Sequence, residues 1–356
     1  MRRPLRDDLV ELEGYHSPQV AAAVRLNTNE SALAPPVAWR EELAAAVAAE
    51  PLHRYPDRRA RALRRALAAH HGVGPEGVLA TKGSNEALQA LCLAYGGPGR
   101  SVVTFEPTYA LHAHIARLTG TRVASAQRRD DFTLEPAAAA AVVAGERPAI
   151  TFLCSPNNPT GLAESPAVVA AVLEAAEATG GLVVVDEAYA QFASWTALDL
   201  AAEDRPLVVT RTYSKTWALA GLRLGYLLAP PPVVADLELV LLPYHLDALA
   251  QVGGRLALAH VEEMTARVAA VVAERHRITA ALAGLAVEVW PSEANFVLFR
   301  PLARPAREVW EGLLARSVLV RDCSSWPRLA GCLRVTMGTP EEGDAFLAAL
   351  EEVLGS

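Results

Sequence analysis

Lys215 is one of only two lysines, with Lys82, in a chain of 356 residues that carries 31 arginines. A guanidinium stays protonated at physiological pH and cannot replace a primary amine that must attack a carbonyl. A lysine kept in so arginine-rich a chain is therefore a candidate nucleophile, and Lys215 has the more telling neighbours, Thr212-Tyr213-Ser214-Lys215-Thr216-Trp217. Asp186-Glu187-Ala188-Tyr189 follows four apolar residues, where a buried carboxylate needs a cationic partner such as a protonated ring nitrogen. Cys154-Ser155-Pro156-Asn157-Asn158-Pro159-Thr160-Gly161 sets two prolines and a glycine in a tight turn that aims polar groups at a ligand oxygen. Lys82-Gly83-Ser84-Asn85-Glu86 is a glycine turn into a helix, whose free N–H groups and positive dipole end suit a phosphate. Each piece alone also has a plain structural reading: Asp186 as a helix cap, Ser214 as a turn residue, Tyr109 as packing, Gly83-Ser84 as an ordinary helix start.

These residues are informative because of the elements that must carry them. The runs at 78–81, 101–105, 149–153, 182–185 and 207–210 are short, apolar and rich in Val, Ile and Leu, the signature of strands buried on both faces of a mostly parallel sheet. Between them, Ser84–Tyr95 and Pro166–Thr179 have the length and Ala/Leu/Glu content of crossover helices. This predicts an α/β doubly wound layer, in which ligands bind at the carboxyl ends of the strands, where the motifs above all fall. Beyond it, a helix at 262–285, strands near 287–289, 296–299, 318–320 and 333–335, a helix at 306–316 and a last helix from Pro340 suggest a small α+β domain. Pro230-Pro231-Pro232 is the clearest candidate hinge or boundary.

Composition narrows the function classes. Hydrophobic residues make up 52% of the chain and charged residues 21%, ample for large buried layers. A net charge of −7 argues against nucleic acid or an anionic membrane as the main partner. No run of about 18 apolar residues exists and the stretch Met1-Arg2-Arg3-Pro4-Leu5-Arg6-Asp7-Asp8 lacks the apolar core of a signal peptide, so the cytoplasm is expected. Cys92, Cys154, Cys323 and Cys332 show no metal-ligand spacing and read as reduced thiols.

Together the pieces are more specific than any one of them. An amine, a buried carboxylate, a tyrosine, an asparagine turn and a Gly-Ser helix start are what pyridoxal 5′-phosphate needs. Ser214-Lys215 with Ala220-Gly221-Leu222-Arg223-Leu224-Gly225-Tyr226, Asn158-Pro159-Thr160-Gly161 and Asp186-Glu187-Ala188-Tyr189 resembles the class I/II aminotransferases of fold type I. The resemblance implies a mostly parallel, seven-stranded sheet in a large domain, plus a small α+β domain drawn from both termini. It implies a catalytic Schiff-base lysine and proton shuttle at Lys215, with Asp186 on the pyridine nitrogen and Asn158 and Tyr189 on the ring oxygen. It also places Ser84, Asn85, Ser214 and Arg223 on the phosphate, Tyr109 against the ring and Arg334 on a substrate carboxylate.

Further segments are similar to the histidinol-phosphate aminotransferase family: Arg25-Leu26-Asn27-Thr28-Asn29-Glu30, Arg54-Tyr55-Pro56-Asp57, Leu242-Pro243-Tyr244-His245-Leu246, Glu293-Ala294-Asn295-Phe296-Val297 and Val320-Arg321-Asp322. That likeness implies a homodimer in which Tyr55 reaches the partner's cofactor phosphate, Arg321 on a substrate phosphate and Asn29 at the substrate. The reaction implied moves an amino group between L-histidinol phosphate and 2-oxoglutarate, in histidine biosynthesis. It also implies an N-terminal arm at 1–40, a large domain at 41–245 and a small one at 246–356. Two departures fall near the substrate: Ser31-Ala32 stands where the family has Asn-Pro, and Tyr213 and Trp217 flank the lysine. Rival readings on the same scaffold are an aromatic amino-acid or specialised aminotransferase, a phosphate-substrate decarboxylase and a cofactor-sensing regulator. The last needs a DNA-binding extension for which this chain shows no basic segment.

Overall fold

The uninterrupted apolar runs form strands covered by helices on both faces. The structure, a computed structural model, describes residues 5–10, 14 and 20–355. Met1–Pro4 of the N-terminal stretch, and with them part of the expected 1–40 arm, lie outside the described residues. The strands are β1 (Val24–Leu26), β2 (Val78–Thr81), β3 (Ser101–Glu106), β4 (Arg122–Gln127), β5 (Ile150–Cys154), β6 (Leu182–Asp186), β7 (Leu207–Thr212), β8 (Gly225–Leu228), β9 (Val287–Val289), β10 (Phe296–Pro301), β11 (Val318–Asp322) and β12 (Leu333–Thr336).

Seven of them form one sheet in the order β2-β8-β7-β6-β5-β3-β4. β4, β3, β5, β6 and β7 run parallel, and β8 is antiparallel to both of its neighbours. Alternate residues feed two cores: Val102, Phe152, Val184 and Val208 on one face, Val103, Leu153, Val185 and Val209 on the other. Both faces being apolar explains the lack of alternation in the sequence. β4 reads Arg-Val-Ala-Ser-Ala-Gln at the sheet edge with mixed exposure, and so it does not stand out as a strand. β8 lies within the Gly225-Tyr226 motif, whose residues attract notice for chemistry rather than for pairing.

The proline run is not a hinge. Pro231 and Pro232 open the helix Pro231–Val240, where a missing N–H costs nothing. That helix buries Val233, Val234 and Leu237 in the core of the seven-stranded sheet.

The second sheet has the order β1-β11-β12-β10-β9, with β1 parallel to β11 and the remaining pairs antiparallel. A strand from near the N-terminus thus completes a sheet built by the C-terminal part. The helix Val261–Leu282 joins the two layers: Met264 packs with Trp39 and Tyr226, whereas Ile278 and Leu282 pack with Phe299 and Phe346. No helix among the described residues is long and apolar enough to cross a membrane. All four cysteines are free and buried.

Candidate active site

The carboxyl ends of β3, β5, β6 and β7 open into a cleft of about 200 Å³ whose opposite wall comes from the second sheet. Twelve of the thirteen site residues expected from the sequence line it: Asn29, Ser84, Asn85, Tyr109, Asn158, Asp186, Tyr189, Ser214, Lys215, Arg223, Arg321 and Arg334. Tyr55 does not. It is 81% exposed, and its ring stacks on Tyr244 with centroids 4.4 Å apart.

Lys215 follows β7 and reaches the cleft floor, where Nζ donates to the Thr28 carbonyl at 3.1 Å and lies 5.9 Å from the centroid of the Tyr189 ring. Burial, and then the Arg334 charge, hold its amine down at about 8, against a smaller opposing pull from Glu30. Roughly a tenth of this amine is therefore unprotonated at pH 7, far more than for an ordinary lysine, and that is the form a nucleophile requires. Lys82 is placed differently. It contacts Asp247 beside the Gly83 turn and does not line the cleft.

Asp186 and Glu187 are consecutive yet have opposite fates. Glu187 is saturated: Arg211 donates from Nη2 at 2.7 Å and Nε at 3.1 Å, Thr196 from its hydroxyl at 2.8 Å and Ala197 from its amide at 2.5 Å. Asp186 faces the cleft, 2% exposed, with only His112 Nε2 at 3.1 Å and the Thr210 hydroxyl at 3.1 Å as side-chain donors. No Lys or Arg pairs with it among the described residues. A buried carboxylate so left can accept one more cation. His112 escaped notice in the sequence, although it stands one helical turn after Tyr109. It is fully buried, its ring stacks on Phe152 with centroids 4.8 Å apart, and Nδ1 has no partner.

The phosphate-sized end is built from the helix Ser84–Tyr95, whose first turn has no side-chain cap. Arg223 lies beside it, donating to Ser214 Oγ at 3.4 Å and the Ala220 carbonyl at 3.0 Å. Gly225 is needed for this fit, since a Cβ there would lie 2.4 Å from the Ser84 amide nitrogen. Uncapped amides, a hydroxyl and a guanidinium form a cradle for a dianion. The Tyr109 hydroxyl donates to Asn85 Oδ1 at 3.2 Å along one edge.

Tyr189 is buried and its phenol is held above its ordinary value by that burial. Its hydroxyl accepts from Asn29 Nδ2 at 2.9 Å. Asn29 itself has φ +56°, a left-handed backbone that Asn tolerates better than most residues, and its Oδ1 accepts from Thr336 at 3.0 Å. Arg334 donates to Asn158 Oδ1 and, at 3.0 Å, to the Asn27 carbonyl, while its Nε has no partner. The second sheet is thereby tied to the floor through Asn29 and Asn158.

One expectation about the substrate side fails. Tyr213 and Trp217 do not face the cleft; they stack on each other, 5.3 Å apart, in the core with Trp39 and Tyr226. Ser214 and Lys215 thus face the cleft while Tyr213 and Trp217 pack behind them. The cleft wall ends at Glu30, and Ser31 turns its hydroxyl to the Leu33 carbonyl. Conversely, Trp326 lines the cleft without having been singled out.

The chain is 51% identical to a histidinol-phosphate aminotransferase of Frankia casuarinae over 99% of its length and 90% of that protein. It is 46% identical to one of Mycobacterium avium over 97% of its length and 87% of that protein. The crystal structure of histidinol-phosphate aminotransferase from Sinorhizobium meliloti in complex with pyridoxal-5′-phosphate superposes with a TM-score of 0.88 at 23% identity, covering 99% of this chain and 97% of that one, which shows a shared fold. Residues 22–350 match the family model for aminotransferase class I and II, and the chain belongs to that family.

Proposed function

We propose that this enzyme is a pyridoxal-phosphate-dependent transaminase that moves the amino group of L-histidinol phosphate to 2-oxoglutarate, giving imidazole acetol phosphate and L-glutamate. The observation that carries the donor assignment is the pairing of Arg321 with Arg334 across β11 and β12, both buried and both lining the cleft. Two adjacent guanidinia suit the phosphate of the donor and, in the other half of the reaction, a carboxylate of 2-oxoglutarate held mainly by Arg334.

The residues present fit the cofactor. Ser84 and Asn85 amides, the Ser214 hydroxyl and Arg223 would hold its phosphate, Asp186 its ring nitrogen, Asn158 and Tyr189 its ring oxygen, and Tyr109 its face. When bound, pyridoxal 5′-phosphate supplies an aldehyde for an amine and a protonated ring that takes up an electron pair. Lys215 would provide that amine and afterwards, as the free base at Nζ, would take the proton from the amine-bearing carbon of the substrate. Asp186, held by His112 and Thr210, would face the ring nitrogen. Arg321 and Arg334 fix the substrate's anionic ends, and Asn29 keeps the Tyr189 hydroxyl in place. The same reading makes the enzyme a cytoplasmic homodimer, with exposed Tyr55 reaching the partner copy's cofactor phosphate, and divides the chain at residues 40 and 245.

A panel of histidinol phosphate, phenylalanine and tyrosine compared by kcat/KM tests the donor. Histidinol phosphate is expected to exceed both aromatic amino acids by at least about a hundredfold, and a preference for phenylalanine overturns the assignment.

A further inference from the structure

Arg321 and Arg334 stand directly opposite each other on antiparallel strands, and like charges so placed repel. The indole of Trp326, on the loop between these strands, lies against both: its centroid is 5.3 Å from the guanidinium carbon of Arg321 and 5.9 Å from that of Arg334. Trp326 is half-buried and faces the cleft. Its loop is held from behind. Arg328 donates to the Arg128 carbonyl and, at 2.5 Å, to Asp130. Cys323, Leu329 and Cys332 pack on Phe132 and Trp290.

We propose that Trp326 is a positioning residue that holds Arg321 and Arg334 as a single anion clamp and so sets the preference of the cleft for phosphate-terminated substrates. The inference rests on the donor assignment above and names the residue behind it. A guanidinium is planar and weakly hydrated, so it stacks on an aromatic face without losing its in-plane donors. One indole shared by two guanidinia fixes both planes against their mutual repulsion, and the forks enter the cleft already oriented. Arg321 is the nearer of the two. Loss of the indole therefore falls mainly on the phosphate end.

The test uses the holoenzyme with Trp326→Leu and Trp326→Phe, titrated at equilibrium with glycerol 3-phosphate and with glutarate, neither of which has an amine to react. Trp326→Leu is expected to weaken glycerol 3-phosphate about tenfold and glutarate less than about threefold, while Trp326→Phe restores most of the loss. The KM for histidinol phosphate should rise in Trp326→Leu with kcat nearly unchanged. Retained glutarate binding shows that the variant is folded, and Trp326→Met replaces Trp326→Leu if it is not. The proposal fails if wild type does not bind glycerol 3-phosphate, if the Leu and Phe variants weaken it equally, or if kcat falls while its affinity holds. If histidinol phosphate is not a donor but the Leu variant still loses glycerol 3-phosphate, the donor assignment falls and the clamp stands. If histidinol phosphate is turned over and all variants bind glycerol 3-phosphate alike, the reverse holds.

Discussion

The floor of the cleft and its anion-binding wall are made by different sheets in different ways. On the floor, Asp186 ends a parallel strand and Asn158 and Lys215 follow two others, all buried on both faces, so backbone packing alone fixes where those side chains begin. On the wall, Arg321 and Arg334 belong to a small antiparallel pair. Their positions depend on bonds to other segments: Arg334 to Asn27 and Asn158, Thr336 to Asn29, and the indole of Trp326 beneath both arginines. A floor so rigid suits chemistry that every donor shares, whereas a wall assembled from separate loops can change its ligand without disturbing that chemistry.

Breaking the floor should therefore abolish turnover with any donor. Lys215→Arg keeps the charge but offers no free amine, and transamination of histidinol phosphate, phenylalanine and tyrosine alike is expected to fall by at least about a thousandfold. Substantial residual activity with any of them would place the nucleophile elsewhere. Breaking the wall should instead re-rank the donors. Arg321→Lys replaces a planar fork by a point charge, and kcat/KM for histidinol phosphate is expected to drop roughly tenfold to a hundredfold, while the glutamate half-reaction, anchored by Arg334, changes little. An equal loss in both half-reactions would show that floor and wall do not divide the labour in this way.

The same division explains what could be read from the sequence. The strands of the floor are continuous runs of Val, Ile and Leu, and the residues just after them are polar against an apolar background, so Lys215, Asp186 and Asn158 stand out individually. The helices Ser84–Tyr95 and Pro166–Thr179 follow from length and composition. His112 was hidden because its role depends on a helix following β3 that folds its face toward the end of β6, a contact between residues 74 apart. Trp326 was hidden for a similar reason: its partners are fixed by the register of β11 on β12, which local composition does not encode. Tyr213 and Trp217 misled because adjacency in sequence does not mean the same side of a turn. Glu187, next to Asp186, drew no role from the sequence, and Arg211, twenty-four residues on, saturates it.

The smallest expected effect is also the one that joins the two regions, since Arg334 on the wall helps to hold down the amine of Lys215 on the floor. With only two lysines in the chain, an acylating reagent and mass spectrometry can follow Lys215 separately from Lys82 in the protein stripped of cofactor. Only the unprotonated amine reacts, so the labelling rate at Lys215 should rise with pH and level off once pH passes about 8, well before an ordinary lysine would. Removing the wall charge with Arg334→Gln removes a repulsion that disfavours the protonated amine, and the midpoint must then move upward. It should nevertheless stay below the ordinary lysine value, because burial outweighs the Arg334 charge in depressing it. A midpoint unmoved by Arg334→Gln would mean that the wall does not act on the nucleophile electrostatically. A midpoint that returns fully to the ordinary value would instead assign the depression to the wall and not to the buried floor.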